Sequence, residues 1–134
     1  MSERDRNREL VADAFTAFQS GDVEAITAVL DPEIEVMISD RLANAGTWKG
    51  VEGFWQSVST WLEAFDDYSV EIRAIETPDD DHVIVEARQI AKGRSSGVPV
   101  ELTTYFLFEV HDGLSTRYEL HASREDAMAA IAQH

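Results

Sequence analysis

The stretch from Leu10 to Ile38, LVADAFTAFQSGDVEAITAVLDPEIEVMI, decides the fold. Leu10, Val11, Ala14, Phe15 and Phe18 recur at three- and four-residue steps, which predicts an amphipathic helix from about Arg4 to Gln19. Glu3, Arg6, Glu9 and Asp13 occupy its other face. Gly21 suits a left-handed helix terminus and Asp22 the N-cap of a second helix, with Val23, Ile26, Val29 and Leu30 as its buried side. Pro32 lacks an N–H and stops that helix. Ile34, Val36 and Ile38 then alternate with Glu35 and Met37, the period of a half-buried strand.

Working outward, residues 39–50 read as a loop. Val51, Phe54, Trp55, Val58, Trp61, Leu62 and Phe65 then form the cleanest helical stripe in the chain. Each of its aromatic members is worth about 1.5–3 kcal/mol when buried. From Tyr68 the period becomes two, through Val70, Ile72 and Ala74, a turn at 77–81, and a strand from His82 to about Lys92. After the GRSSG connection, Val98, Val100, Leu102, Thr104, Phe106, Phe108 and Val110 share one strand face, opposite Glu101, Thr103, Tyr105, Leu107 and Glu109. Asp112-Gly113 is a hairpin turn. The last strand sets Tyr118, Leu120 and Ala122 against Arg117, Glu119 and His121, and Ser123 caps a final Ala-rich helix that buries Met128 and Ile131 only weakly. The order α-α-β-α-β-β-β-β-α predicts a single α+β domain over residues 1–134, with helices gathered on one face of a curved antiparallel or mixed sheet.

Composition narrows the function. Twenty-six acidic against eleven basic residues give a net charge of −15, which repels phosphate backbones and anionic lipid, so nucleic-acid and membrane-surface roles are excluded as expectations. The absence of Cys removes disulfides and thiolate chemistry. With no long apolar run and a charged MSERDRNREL terminus, the expected location is cytoplasmic. No His/carboxylate spacing suggests a metal site, and no phosphate loop or nucleophile elbow is present, so neither metal nor cofactor is expected.

The segments AFQSGDVEAITAVLDPEIEV, GTWKGVEGFW, YFLFEVHDG and STRYELHASRED, in that order and spacing, resemble the nuclear transport factor 2-like superfamily, in particular its SnoaL-like and ketosteroid-isomerase-like members. The resemblance covers nearly the whole chain. It implies a conical half-barrel, a bent sheet wrapped around the long helix with a cavity open at one end, and a homodimer formed through the outer sheet face. The latter would account for the modest polarity of Thr103, Tyr105 and Leu107.

Carried onto this chain, the isomerase base falls on Ile38, the oxyanion-hole tyrosine on Ala14 and the neutral acid on Thr104, so that chemistry is lost. Leu120 stands where many cyclase relatives carry an acid. Strand parity leaves Asp40 and Tyr118 as candidate base and hydrogen-bond donor, since desolvation would raise the Asp pKa. Phe15, Ile38, Trp55, Gln89, Thr104, Phe106 and Leu120 are the expected pocket-lining residues. His121 is read as an outer-sheet or interface residue, and His82, His111 and His134 as residues of turns or the terminus. Two functions follow: a binding domain for a small apolar molecule that has lost the usual acids, or a cofactor-free acid–base enzyme of isomerase, cyclase or hydrolase type acting on an apolar, ring-bearing substrate.

Overall fold

Four helices and a six-stranded sheet make up residues 1–133, which are those the computed structural model describes; His134 lies outside them. Helix α1 (Glu3–Ser20) starts at Ser2, whose Oγ accepts the Asp5 N–H, and ends at Gly21 in the left-handed region (φ 73°). Asp22 caps α2 (Val23–Thr27) by accepting the Ala25 N–H at 3.1 Å. This helix is shorter than its sequence pattern predicts, and Val23 is exposed rather than buried. Leu30 leaves the helix because it pairs with Ser115 as the first residue of β1 (Leu30–Ile38). Pro32 therefore sits inside the strand instead of ahead of it. The register shifts between Leu30 and Glu35, so its missing N–H interrupts a bulge and not a regular ladder.

Strand β2 (Gly46–Lys49) corrects the expectation of a loop over residues 39–50: it pairs antiparallel with β1. Four residues are too few to show a period of two. Helix α3 (Gly50–Leu62) ends before Phe65, which opens β3 (Phe65–Glu76) opposite Gly93. The strands β4 (His82–Gly93), β5 (Pro99–His111) and β6 (Leu114–His121) form a long meander. Asp112 and Gly113, at φ 50° and 78°, make the tight turn between the last two. The sheet order is β2-β1-β6-β5-β4-β3, antiparallel throughout except that β1 runs parallel to β6.

The inner face of this sheet carries Val83, Val85 and Ala87, each 0% exposed, and packs with Val11 and Phe15 of α1 and Trp61 of α3. Asn7, Arg8 and Gln19 tie α1 to the sheet by donating to backbone carbonyls of Asp80, Ile75 and Val70. On the outer face, α4 (Arg124–Gln133) lays Ala127 and Ala130 on Ile84 and Leu107. Ser123 caps it as expected, with its Oγ 3.1 Å from the Asp126 N–H. Leu107 is thus covered by this chain's own helix, which already accounts for its apolar character. Among the described residues no helix is long and apolar enough to cross a membrane.

Truncating Leu107 to Ala removes this outer-face packing and is expected to lower unfolding free energy by about 2–5 kcal/mol in urea titrations, whereas Val98→Ala, at an exposed position, should stay within about 0.5 kcal/mol.

Candidate functional site

Helices α1 and α3 stand on the inner face, so that aromatic side chains converge from them and from β5 and β6. Phe15 of α1 meets Phe106 of β5 edge-on at 5.1 Å between ring centroids, and Phe106 stacks with Phe108 at 6.4 Å. Tyr118 of β6 receives Phe54, Phe106 and Phe108 edge-to-face at 5.5, 6.0 and 5.3 Å. Between these rings, Ile38, Leu120 and Trp61, a cavity of about 90 Å³ remains. A cavity of about 150 Å³ is what accepts a benzene ring. The cone is therefore largely filled by its own side chains.

Among the described residues no charged side chain and no histidine lines this cavity; its polar members are Ser57, Trp61, Tyr68 and Tyr118. Three of the four are satisfied from within the protein. Ser57 donates to the Phe54 carbonyl at 2.6 Å. Trp61 Nε1 and the Tyr68 hydroxyl both donate to Gln89 Oε1, at 2.7 and 2.5 Å, and Gln89 Nε2 donates to Thr104 Oγ1 at 2.6 Å. Two donors converging on one amide oxygen fix which way Gln89 points. Tyr118 is the exception: its hydroxyl has no hydrogen-bond partner among the described residues. Burial pushes the pKa of both tyrosines above the ordinary value, with the neighbouring Tyr68 adding to the shift at Tyr118. Both stay protonated at neutral pH, so Tyr118 offers a free donor inside an apolar wall.

Of the residues singled out from sequence, Phe15, Ile38, Phe106, Leu120 and Tyr118 stand in the cavity wall, as does Ala14. Trp55 does not: it packs edge-on against Phe54 and donates Nε1–H to Thr27 Oγ1 at 3.1 Å, turned toward α2. Gln89 (4% exposed) and Thr104 (0%) lie one layer behind the wall, holding Trp61 and Tyr68. Asp40 is exposed in the turn after β1 and lines a groove on the opposite side of the sheet, so the structure does not bring it together with Tyr118. Sequence reasoning passed over Tyr68 as a cavity group. Its link to Gln89 rests on the β3–β4 register, in which Val70 faces Gln89 and Tyr68 becomes the diagonal neighbour. Among the described residues no three His, Asp or Glu side chains are arranged to hold a metal ion.

Similar proteins share this architecture. The protein Bal32a, from a soil-derived mobile gene cassette, superposes with a TM-score of 0.81 at 23% identity, over 95% of this chain and 96% of its own. A protein from Jannaschia sp. CCS1, assigned as a SnoaL-like polyketide cyclase, gives 0.75 at 20% identity, over 96% and 93%. TerC, crystallised with polyporic acid, gives 0.75 at 18% identity, over 96% and 99%. These likenesses establish the fold, and no curated protein sequence matches significantly. The sequence profile of the SnoaL-like domain, however, matches residues 11–118. With that match spanning most of the chain, and with the mixed sheet curved around two helices, the protein belongs to the SnoaL-like domain family of the nuclear transport factor 2-like superfamily.

Proposed function

We propose that this protein is a cytoplasmic, single-domain binder of a small apolar molecule that carries one hydrogen-bond-accepting oxygen, working without a cofactor. The observation that carries the reading is the cavity wall: apolar throughout, free of ionisable groups that titrate near neutrality, and supplied with one unpartnered donor at Tyr118. The Tyr118 hydroxyl is not sealed from solvent, so a ligand oxygen at that point can accept from it, a hydrogen bond worth about 0.5–1.5 kcal/mol net. Because the cavity is only about 90 Å³, a ring-bearing ligand enters by displacing part of the aromatic filling, for which the half-buried Phe18 and Phe108 are the movable members. TerC's crystallisation with polyporic acid is consistent with ligand binding on this scaffold.

The second reading, a cofactor-free acid–base enzyme using Asp40 and Tyr118, draws on the cyclase assignment of the Jannaschia relative. It requires the turn bearing Asp40 to fold over the mouth of the cone. Substrate turnover lost in Asp40→Asn with the fold intact would establish it, and turnover unaffected by that change would remove it.

We further propose a homodimer formed through the outer sheet face, on the part around the exposed Thr103, with Tyr105 at the edge of the α4 contact.

Four measurements test these readings. With cyclohexanone as probe and toluene as the acceptor-free control, Tyr118→Phe should weaken cyclohexanone binding about tenfold and leave toluene unchanged, as followed by NMR titration; equal losses for both probes would end the Tyr118 assignment. Since the Tyr118 pKa lies above its ordinary value of 10.0, wild-type binding should be flat from about pH 5 to 9. Gln89→Leu strands the Trp61 and Tyr68 donors and should cost about 2–4 kcal/mol in urea unfolding, with a shift in tryptophan emission. Light scattering should return twice the 15.0 kDa chain mass, and a monomer would exclude the proposed interface.

A further inference from the structure

Inside the cone about 90 Å³ is open, too little for a ring. Beside it, between α1 and the segment that carries α2, runs a second concavity of about 330 Å³, at the lower end of the ~300–1,000 Å³ range of small-molecule sites. Leu10, Ala14 and Ala17 of α1 form one wall of this groove, and Ala25 of α2 and Val29 the other. Arg6, Glu9 and Asp13 are its charged members, and all three are exposed. The space exists because α1 and α2 meet through alanines. Side chains of one carbon at positions 14, 17 and 25 leave unfilled the volume that larger apolar groups would take.

Groove and cavity share a partition. Ala14 stands in both walls, and α2 borders both through adjacent residues, Ile26 on the cavity and Ala25 on the groove. Phe18 and Ala17 divide in the same way on α1. Helix α2 is five residues long and buries Ile26. Its polar ties are at its ends: the Asp22 N–H donates to the Ala17 carbonyl at 2.8 Å, and Thr27 Oγ1 accepts from Trp55 Nε1 at 3.1 Å. So short a helix, with so little buried, belongs to the part of a fold that opens most readily. The chemistry of the groove is simple. Leu10, Ala14, Ala17 and Val29 are half-buried and apolar, and Arg6 already donates Nη1–H to the Met1 carbonyl at 2.7 Å. Two carboxylates beside one arginine offer nothing to an anionic end, so an uncharged aliphatic chain is the occupant that fits.

We propose that cavity and groove are two parts of one site whose ligand is elongated, with a ring bearing the accepting oxygen inside the cone and an uncharged aliphatic arm that passes Ala14 into the groove. Ala14 sets this specificity, because its methyl leaves a passage that a longer side chain would close. The proposal rests on the inner cavity being a binding site, and it supplies the room that cavity lacks. The outward shift of α2 that admits the arm also withdraws Ile26 from the wall and frees Phe18, which packs against the Ile26 cluster.

The test is a ¹H–¹⁵N NMR titration of the full chain with cyclohexanone and its 4-methyl, 4-ethyl and 4-propyl derivatives. Affinity should rise about fourfold for each added carbon. The Ala17, Ala25 and Val29 amides should shift with the propyl compound and not with cyclohexanone. Ala25→Trp fills the groove from an exposed position that is absent from the cavity wall. It should abolish the gain from the arm and leave cyclohexanone affinity unchanged. Ala14→Leu, which keeps a strong helix former in α1, should bring the ratio of propyl to parent affinity down toward one. A flat series in the wild type, or a gain that persists in both variants, overturns the proposal while cyclohexanone binding leaves the cavity reading standing. If neither cyclohexanone nor the propyl compound saturates, the cavity reading fails and the proposal falls with it.

Discussion

The parallel pairing of β1 with β6 is the constraint on which the rest of the structure depends. It joins Val36 to Tyr118 and Ile38 to Leu120 across some eighty residues of sequence, and it is the one parallel contact in an otherwise antiparallel sheet. Parallel neighbours cannot be joined by a hairpin, so the chain between them must make a long excursion. That excursion is α3 and the β3–β5 meander, and it wraps the sheet around the helices. The same pairing decides which side chains share a face. Val36, Ile38, Tyr118 and Leu120 point into the cone together, and Glu35, Met37, Arg117 and Glu119 point out together. The inner cavity and the groove on the outer face are both consequences of this register.

Inside the cone the dominant energy is burial of aromatic area, and it competes directly with open volume. Edge-to-face contacts among Phe15, Phe54, Phe106, Phe108 and Tyr118 fill the space that a ligand would otherwise occupy. What polarity remains is organised so that nothing is wasted: Gln89 accepts from Trp61 and Tyr68 and hands its own hydrogen to Thr104. A buried amide of this kind is tolerated because each hydrogen bond it makes removes a desolvation penalty larger than the bond's net gain. The side effect is that Tyr68 is committed to the scaffold while Tyr118 is left open to the cavity.

Charge is segregated by the sheet. Among the described residues no carboxylate lines the inner cavity, whereas on the outer face of β5 and β6 Arg117 lies against Glu109 and Glu119, and Glu119 against His121. Helix α4 makes this arrangement possible by covering Ile84 and Leu107, which gives the outer face a small core of its own and depth enough to bury Glu119 and His121. A weakly amphipathic helix of mostly alanines suffices for that, because small side chains let it approach the sheet closely.

The sequence by itself determined the element order apart from the short strand β2, the capped joint at Gly21-Asp22, the hairpin at Asp112-Gly113 and the alternation of the long strands. These are local properties: caps, turns and periodicities are set by residues within a few positions of one another. Only the tertiary structure decided that Leu30 and Pro32 belong to a strand, that residues 46–49 form an edge strand, that Trp55 turns away from the cavity and that Asp40 stands on the far side of the sheet. Each of those outcomes depends on a partner distant in sequence, Ser115 for Leu30, Val36 for Trp48 and Thr27 for Trp55. Parity along a strand predicts faces only while the strand continues, and at Asp40 the strand has already ended. The outer groove was illegible for the same reason, since its walls come from β1, β6 and α4 and meet only once the parallel pair has formed.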